Sequence, residues 1–387
     1  MKLKVVPTNV IERVLALGNQ LPTPIAETFG AMMLARAIEG ANNLGIFNFL
    51  GQRGSATLNE LCTALQLNDE VVGALLHALE GAGYILTRPD AYARDAHGEA
   101  LLRYSNTAIS ERFLVEGSPQ YVGNFIRYNE QQLMIWMSLE HMARIRGRRA
   151  SMFELLGKIM EELKEQMPQL EEHVYNVHHG LKSERIWRNY MLGLRDMANL
   201  SVPELQLYLR FPRGMTRLLD LGGGHGAYSI WMCKRYPQLR ATILDLEGAA
   251  TVGRELVARE GLSDRIEYVT GDLVQRESFG EAEYDVAFSF NLIHHLKNEE
   301  NVLMLRKLSR ALKPGGSLVL WDEFKDKALK EDDLARFIGV MFLLASGGDS
   351  YPFETVIGWL EQEGFKRIKR YTMKSAPGTG LLWAKKG

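Results

Sequence analysis

The densest chemistry in the chain lies between Asp220 and Gly226. There Asp-Leu-Gly-Gly-Gly-His-Gly closes the apolar run that begins at Arg217 and opens a segment of helical period from Ala227. Strand, glycine-rich turn and helix N-terminus, in that order, let a nucleotide approach backbone N–H groups closely. Glycine serves because the turn needs positive φ and because a Cβ would collide with the ligand. A second acid, Asp245, ends the strand-like Ala241-Thr-Ile-Leu-Asp245 about twenty residues further on, where a carboxylate can accept both hydroxyls of a ribose. A third, Asp272, follows Ile266–Thr270; it can take an adenine amino group while Leu273 packs on the ring. After a further strand, Tyr284–Phe290, comes Asn291-Leu-Ile-His-His-Leu296. An imidazole there can remove a proton near neutral pH.

Two ligands fit the glycines. Gly222-x-Gly224-x-Gly226 is the spacing of S-adenosylmethionine (SAM) sites, while Gly222-x-Gly224-x-x-Ala227 also satisfies the looser dinucleotide fingerprint; a tight turn that binds nothing is the plain alternative. A dinucleotide enzyme needs two mononucleotide halves of parallel strands. This chain has one glycine-rich loop, and its last two strands, Lys366–Met373 and Gly380–Lys385, are close enough to form a hairpin. SAM is the better fit.

The elements that must hold these residues alternate strand and helix from about residue 211 onward, which predicts an α/β sheet with an antiparallel last strand. Asn298 starts a helix to Leu312, and Lys313-Pro-Gly-Gly316 turns the chain into Ser317-Leu-Val-Leu-Trp321. The half before it is mainly helical. Ile25–Leu50 is apolar nearly all round, so it needs burial on every side; a small N-terminal domain cannot supply that, and a second copy of the chain can. Thr57-Leu-Asn-Glu60 is a capping box, and Asn68 caps a second helix with Val71, Val72, Leu75, Leu76 and Leu79 on one face. Tyr84–Thr87 and Tyr92–Arg94 flank Arg88-Pro-Asp90 as a hairpin. Helix, turn, helix and hairpin spell a winged helix. Its second helix carries Asp69, Glu70 and Glu80 and no Arg or Lys, so it would repel phosphates rather than read DNA.

Ser118–Arg146 is helical in period, with Tyr121, Phe125, Tyr128, Leu133 and Trp136 as packing residues. Arg144–Arg149 reads as a solvated basic loop. Met152–Val174 is amphipathic, and Ile186–Leu209 leads directly into the glycine loop. His178-His179 lacks a third ligand at metal spacing, so no metal site is expected.

Composition agrees with a soluble enzyme. The 387 residues carry 46% hydrophobic and 24% charged side chains with a net charge of −1, which leaves no field to gather nucleic acid or a membrane surface. Cys62 and Cys233 are the only cysteines, no leader pattern opens the chain and no run spans a bilayer, so a reducing cytoplasmic location is expected.

Taken together, Asp220–Gly226, Leu244-Asp-Leu246, Gly271-Asp-Leu273, Ile293-His294 and Lys313-Pro-Gly-Gly316 resemble the class I SAM-dependent methyltransferases. With an N-terminal winged helix, the chain is similar to small-molecule O-methyltransferases of the plant caffeate and bacterial polyketide type, from about Ile25 to its end. The resemblance implies a winged-helix dimerisation domain over 1–105, a helical substrate-pocket layer over 106–210 and a Rossmann-like SAM domain over 211–387. It places Gly222 and Gly224 on the methionine part of SAM, Asp245 on the ribose, and Asp272 with Leu273 on the adenine, with Asp220, Leu246 and Asn291 bordering the same cofactor site. It implies a homodimer, a small hydroxylated substrate and no metal. His294 falls on the general-base position, with His295 and a purely hydrogen-bonding histidine as alternatives, and Asp322 on a flanking-acid position. The family's Asp and Trp after the base are replaced by His295 and Leu296. A second flanking acid is replaced by Ser350, next to Asp349. N- or C-methylation, and SAM-bound chemistry without methylation, are compatible with the same scaffold.

Overall fold

The structure, a computed structural model, describes residues 9–18, 20, 23–94, 97–144, 184–325, 333–346, 350–376 and 378–387. It divides between Arg127 and Tyr128 into two compact units. The amphipathic stretch at Met152–Val174, His178-His179, the Arg144–Arg149 run beyond Arg144, and Asp349 lie outside the described residues.

In the first unit the capping box forms as its residues require. Thr57 Oγ1 accepts from the Glu60 amide, and the Glu60 carboxylate accepts from the Thr57 amide, which starts helix Leu58–Leu65. Asn68 caps helix Asp69–Gly81. Val72, Leu76 and Leu79 bury against Ala41, Ile46, Phe47 and Leu50, whereas Val71 is exposed. Ile25–Leu50 is not one helix: a π-helical turn at Ala26–Gly30 runs into Ala31–Asn43, and Gly45 at φ +77° separates that from Ile46–Arg53. The hairpin expected at Arg88-Pro-Asp90 is also displaced. β1 (Ala56–Thr57) and β2 (Ile85–Arg94) flank β3 (Ala100–Asn106), so β2 runs through the tripeptide. Asp90 does accept from the amides of Tyr92 and Ala93, as a turn residue would. It also meets Arg103 on the facing strand, and the result is a register irregularity between Pro89 and Arg94, not a chain reversal.

In the second unit the chain first completes helix Gly123–Met137, which starts later than its period suggested and restarts as Leu139–Arg144. Helix Glu184–Tyr208 precedes the sheet. The strands are β4 (Arg217–Leu221), β5 (Arg240–Asp245), β6 (Ile266–Thr270), β7 (Tyr284–Phe290), β8 (Leu312–Lys325), β9 (Tyr351–Pro352), β10 (Phe365–Thr372) and β11 (Thr379–Lys386). Their order is β10–β11–β8–β7–β4–β5–β6, with β9 beside β8. β4 to β8 pair in parallel and β11 is antiparallel to both its neighbours. β8 begins at Leu312, so Lys313-Pro-Gly-Gly316 belongs to the strand, with Gly315 at φ +72°.

Strands covered on both faces read as continuous apolar runs. β4 shows why: Leu218 packs into one layer with Trp231, Met232, Ile243 and Phe288, while Leu219 and Leu221 face the other with Met304, Leu308 and Phe353. The chain builds β4, β5 and β6 outward on one side, then crosses to β7 on the other side of β4. Strand order reverses there, and in such sheets ligands bind in the crevice beyond the carboxyl ends at that switch point. Asp220–Gly226 and Asn291–Leu296 follow those two strands directly.

Candidate active site

The glycine loop is shaped by what surrounds it. Gly222 has φ +67°, and its amide donates to Leu244 O at 2.9 Å, which holds the loop to the end of β5. Gly224 donates to Asp245 Oδ2 at 2.7 Å. A Cβ on Gly224 would lie 2.7 Å from Met191 Sδ and 3.2 Å from Asp245 Oδ2, so glycine there is a steric necessity. Tyr268, from β6, donates its hydroxyl to Gly224 O at 2.9 Å. Gly226 then starts helix Ala227–Arg235.

The predicted acids converge on this loop to different degrees. Asp245 accepts from Gly224 and, through Oδ1, from the Leu246 amide at 2.7 Å. Each of its oxygens keeps a lone pair. Gly271 donates to Asp245 O at 3.0 Å, which brings the Asp272-Leu273 turn alongside. Asp272 is exposed and accepts from the Val274 amide at 2.8 Å. Lys307 holds the turn from beneath, donating to the carbonyls of Leu273 and Val274. Asp220 sits under the loop, fully buried, and accepts from Ser229 Oγ at 2.7 Å.

Burial pushes the Asp220 carboxyl up to about 7, against the Ser229 hydrogen bond and with help from Asp245. Burial likewise pushes Asp245 up to about 6, opposed by the amides of Leu246 and Gly224. His225 is pushed the other way, down to about 3, so it stays neutral while its Nδ1 accepts from the Ala227 amide. A testable consequence concerns Asp220. The folded chain keeps that proton to about pH 7, whereas a free aspartate releases it near 3.8, so folding stability falls as pH rises through this window. Asp220→Asn has no proton to lose. Its stability relative to the wild type should rise by about 2–4 kcal/mol between pH 4.5 and 8, read from denaturant midpoints. A difference that does not change with pH would sink the assignment.

The second half of the site follows β7. Asn291 takes φ +51°, and its amide donates to Trp321 O on the neighbouring strand β8, 2.7 Å away. Ile293–His295 then form a single 3-10 turn. Asp322, buried on β8, anchors it: Oδ2 accepts from the amides of Leu292 and Ile293, both at 2.9 Å. Oδ1 accepts from the Glu323 amide at 2.8 Å and meets His294 Nδ1 at 2.6 Å. Every backbone contact uses the carboxylate as acceptor, so His294 carries its proton on Nδ1 and leaves a lone pair on Nε2. That Nε2 lies 3.0 Å from His295 Nε2. Phe342 stacks on the His294 ring at 3.7 Å between centroids. Ser350, at the position where an acid was expected, is buried.

Several supports escaped the sequence reading. Asn301 donates Nδ2 to the carbonyls of Ile293 and Leu296, and Tyr351 donates to Leu296 O at 2.6 Å, so the histidine turn is pinned at both ends. Asn301 shares a helix stripe with Met304, Leu305 and Leu308. A polar residue on an apolar stripe was the available signal. Tyr268, Lys307 and Phe342 gave none, because their partners are remote in sequence. Among the described residues no group of three or more His, Cys, Asp or Glu is placed to hold a metal ion, and no helix is long and apolar enough to cross a membrane. Cys62 and Cys233 are buried thiols outside any disulfide.

A family model described as an O-methyltransferase domain matches residues 153–366. The chain is 21% identical to 3-hydroxy-5-methyl-1-naphthoate 3-O-methyltransferase of Streptomyces sahachiroi over 93% of its own length and 94% of that protein. It is 30% identical to L-tyrosine C(3)-methyltransferase of Streptomyces lavendulae over 49% of its length and 51% of that protein. Among solved structures, human N-acetylserotonin methyltransferase in complex with SAM superposes with a TM-score of 0.75 at 17% identity, covering 99% of both chains. That likeness establishes a shared fold.

Proposed function

The chain belongs to the O-methyltransferase domain family of SAM-dependent enzymes, and on that premise we propose that it methylates a hydroxyl of a small, largely apolar metabolite, a phenolic or polyketide. One observation carries the reading. The turn bearing His294 abuts the glycine loop: Leu292, two residues before the histidine, lies 3.1 Å from where a Gly222 Cβ would stand. That adjacency of the histidine turn and the glycine loop supports reading one as the proton acceptor and the other as the cofactor loop.

The residues present fit SAM. Gly222 and Gly224 keep the loop bare of side chains, Asp245 retains lone pairs for a ribose diol, and Asp272 with Leu273 stands at the next strand end for the adenine. Leu246 and Asn291, which directly follow β5 and β7, are further cofactor contacts in this reading, with Asp220 buried beneath the loop. When bound, SAM supplies a methyl already activated on a sulfonium, so the protein has to align the acceptor and remove its proton. His294 is the base in this reading, and Asp322 fixes its tautomer and stabilises the imidazolium that forms.

The first unit serves in this reading as a winged-helix dimerisation module, with the pocket layer over 106–210 and the catalytic domain over 211–387. Val10, Ile11, Val14, Leu17, Phe29, Met32 and Met33 are all exposed on its leading helices, an apolar surface that a second copy would cover. Light scattering on the purified protein should give the mass of a dimer; a monomer at tens of micromolar would exclude that part. A cytoplasmic site of action fits the same reading.

The test begins with calorimetric titration against SAM and, separately, NAD. Micromolar SAM binding without NAD binding is the expected result; the reverse would end the methyltransferase reading. Transfer of labelled methyl to phenolic and polyketide acceptors then follows, with mass spectrometry locating the methyl. Likeness to a tyrosine C-methyltransferase makes methylation at carbon the second reading, and the position of the label on the product decides between them.

A further inference from the structure

Asp322 and His295 hold the edge of the His294 ring, at Nδ1 and Nε2, while Phe342 lies flat on one face. The Phe342 and His294 ring centroids are 3.7 Å apart and their planes differ by 9°. Phe342 comes from helix Asp333–Ser346, which leaves Phe337, Val340 and Leu343 exposed and commits this one aromatic ring to the histidine. We infer that Phe342 is a positioning residue for the base: its π face holds the imidazole in place and stabilises the imidazolium once His294 is charged. This rests on the methyltransferase reading above and adds to it what keeps the charge.

The geometry suits a cation better than a neutral ring. Planes in contact stack at about 3.5 Å, so nearly parallel rings with centroids 3.7 Å apart have little lateral offset. Two neutral rings gain least from such a sandwich and prefer an offset or edge-on contact. A cation gains most when centred over a ring face, and more where water is excluded; His294 is 3% exposed. The other stack under 4 Å among the described residues, Phe324 on Phe353 at 3.9 Å, also carries a cation. There the Arg370 guanidinium carbon lies 3.7 Å from the Phe353 centroid.

The Phe342 contact is therefore stronger once His294 is charged, which is the condition for it to lower a barrier. As the acceptor oxygen bonds to the transferred methyl carbon, the carbon–sulfur electron pair stays on sulfur. The acceptor O–H bond breaks with its electron pair left on oxygen, and the proton ends on His294 Nε2. Asp322 then meets the positive ring at its edge, 2.6 Å from Nδ1, and Phe342 meets it on its face. The titratable groups that hydrogen-bond the ring are Asp322 from β8 and His295 from its own turn. Tyr351 and Glu323 approach the turn through Leu296 O and Asp322 Oδ1. Packing alone has the opposite consequence. An apolar cover keeps water from the ring and disfavours its charge, so losing a mere cover eases protonation, whereas losing a π face hinders it.

Fluorination of the ring separates the two. In the full-length protein Phe342 is replaced, by amber suppression, with mono-, di- and trifluorinated phenylalanine, which keep the shape of the ring and progressively drain its face. His294 is followed by 15N-histidine NMR, its signals assigned by their loss in His294→Asn. The pH at which His294 charges should fall along the series, by about 0.4–1.5 pH units for the trifluorinated ring. Single-turnover rates should fall in step, by about 3–30-fold, with SAM affinity within about threefold of wild type. Phe342→Leu should lose as much, and Phe342→Tyr, which keeps the ring face, should restore both. A midpoint that stays fixed or rises along the series would overturn the proposal without any appeal to turnover. A midpoint that falls while the rate stays within about twofold would overturn the part of Phe342 in the reaction. Failure of the wild type to bind SAM or to methylate is a different result, and it would count against the function rather than the stack.

Discussion

Asp245→Ala should lower SAM affinity by about 10²–10⁴-fold and leave the fold intact. Two ribose hydroxyls donating to one carboxylate are each worth about 1.5–3 kcal/mol as hydrogen bonds to a charged group, and every 1.4 kcal/mol is about tenfold in affinity. The side chain has a second duty that adds to the loss. It joins the end of β5 to the glycine loop by accepting from Gly224 at 2.7 Å, so the alanine variant frees the very backbone that must cradle the cofactor. Asp245→Asn separates the two duties. Its amide oxygen can keep one backbone donor, but its NH2 faces the other, and one ribose contact is lost; an intermediate affinity is expected. Calorimetric titration reads both variants, with far-ultraviolet circular dichroism as the control for folding. Unchanged SAM affinity in Asp245→Ala would remove Asp245 from the ribose position.

What was legible in the chain beforehand is what depends on near neighbours. Asp220–Gly226 declares itself because strand, turn and helix start are contiguous. Asp245 and Asp272 do so because each ends an apolar run. The α/β sheet with its antiparallel last strand follows from the same alternation, and the comparisons agree with it. Arg88-Pro-Asp90 misled for the same reason: turn chemistry is local, and Asp90 does form its local hydrogen bonds, but strand pairing with Ala100–Asn106 decides where the chain reverses. Asn301, Tyr351 and Tyr268 act on backbone groups that adjoin them only after folding, and no spacing rule reports that. His294 lay between these cases. Its position could be named from its segment, but its tautomer and its contact with His295 required Asp322 to be seen 28 positions away in sequence and 2.6 Å away in space.

The second large effect is expected at that histidine. His294→Ala should reduce kcat by about 10²–10⁴-fold, the span for losing a positioned base, with SAM affinity within about threefold. The asymmetry follows from placement, because no hydrogen bond of His294 reaches the glycine loop or Asp245; its partners are Asp322 and His295. Asp322→Asn should behave differently. The carboxylate also receives the amides of Leu292, Ile293 and Glu323, so an amide group there has to face backbone donors with its own N–H, and the histidine turn loosens along with the tautomer. Stability should drop in both variants, since His294 is itself buried and stacked on Phe342, but further in Asp322→Asn, where three backbone donors lose a full acceptor; both lose turnover. Single-turnover rates with saturating SAM and acceptor, paired with thermal midpoints, distinguish the two. A His294→Ala loss below tenfold would mean that alignment of the acceptor against the methyl carries the reaction and that proton removal is left to water. In that event Asp322 would remain as the anchor of the turn, and the two histidines as part of the pocket wall.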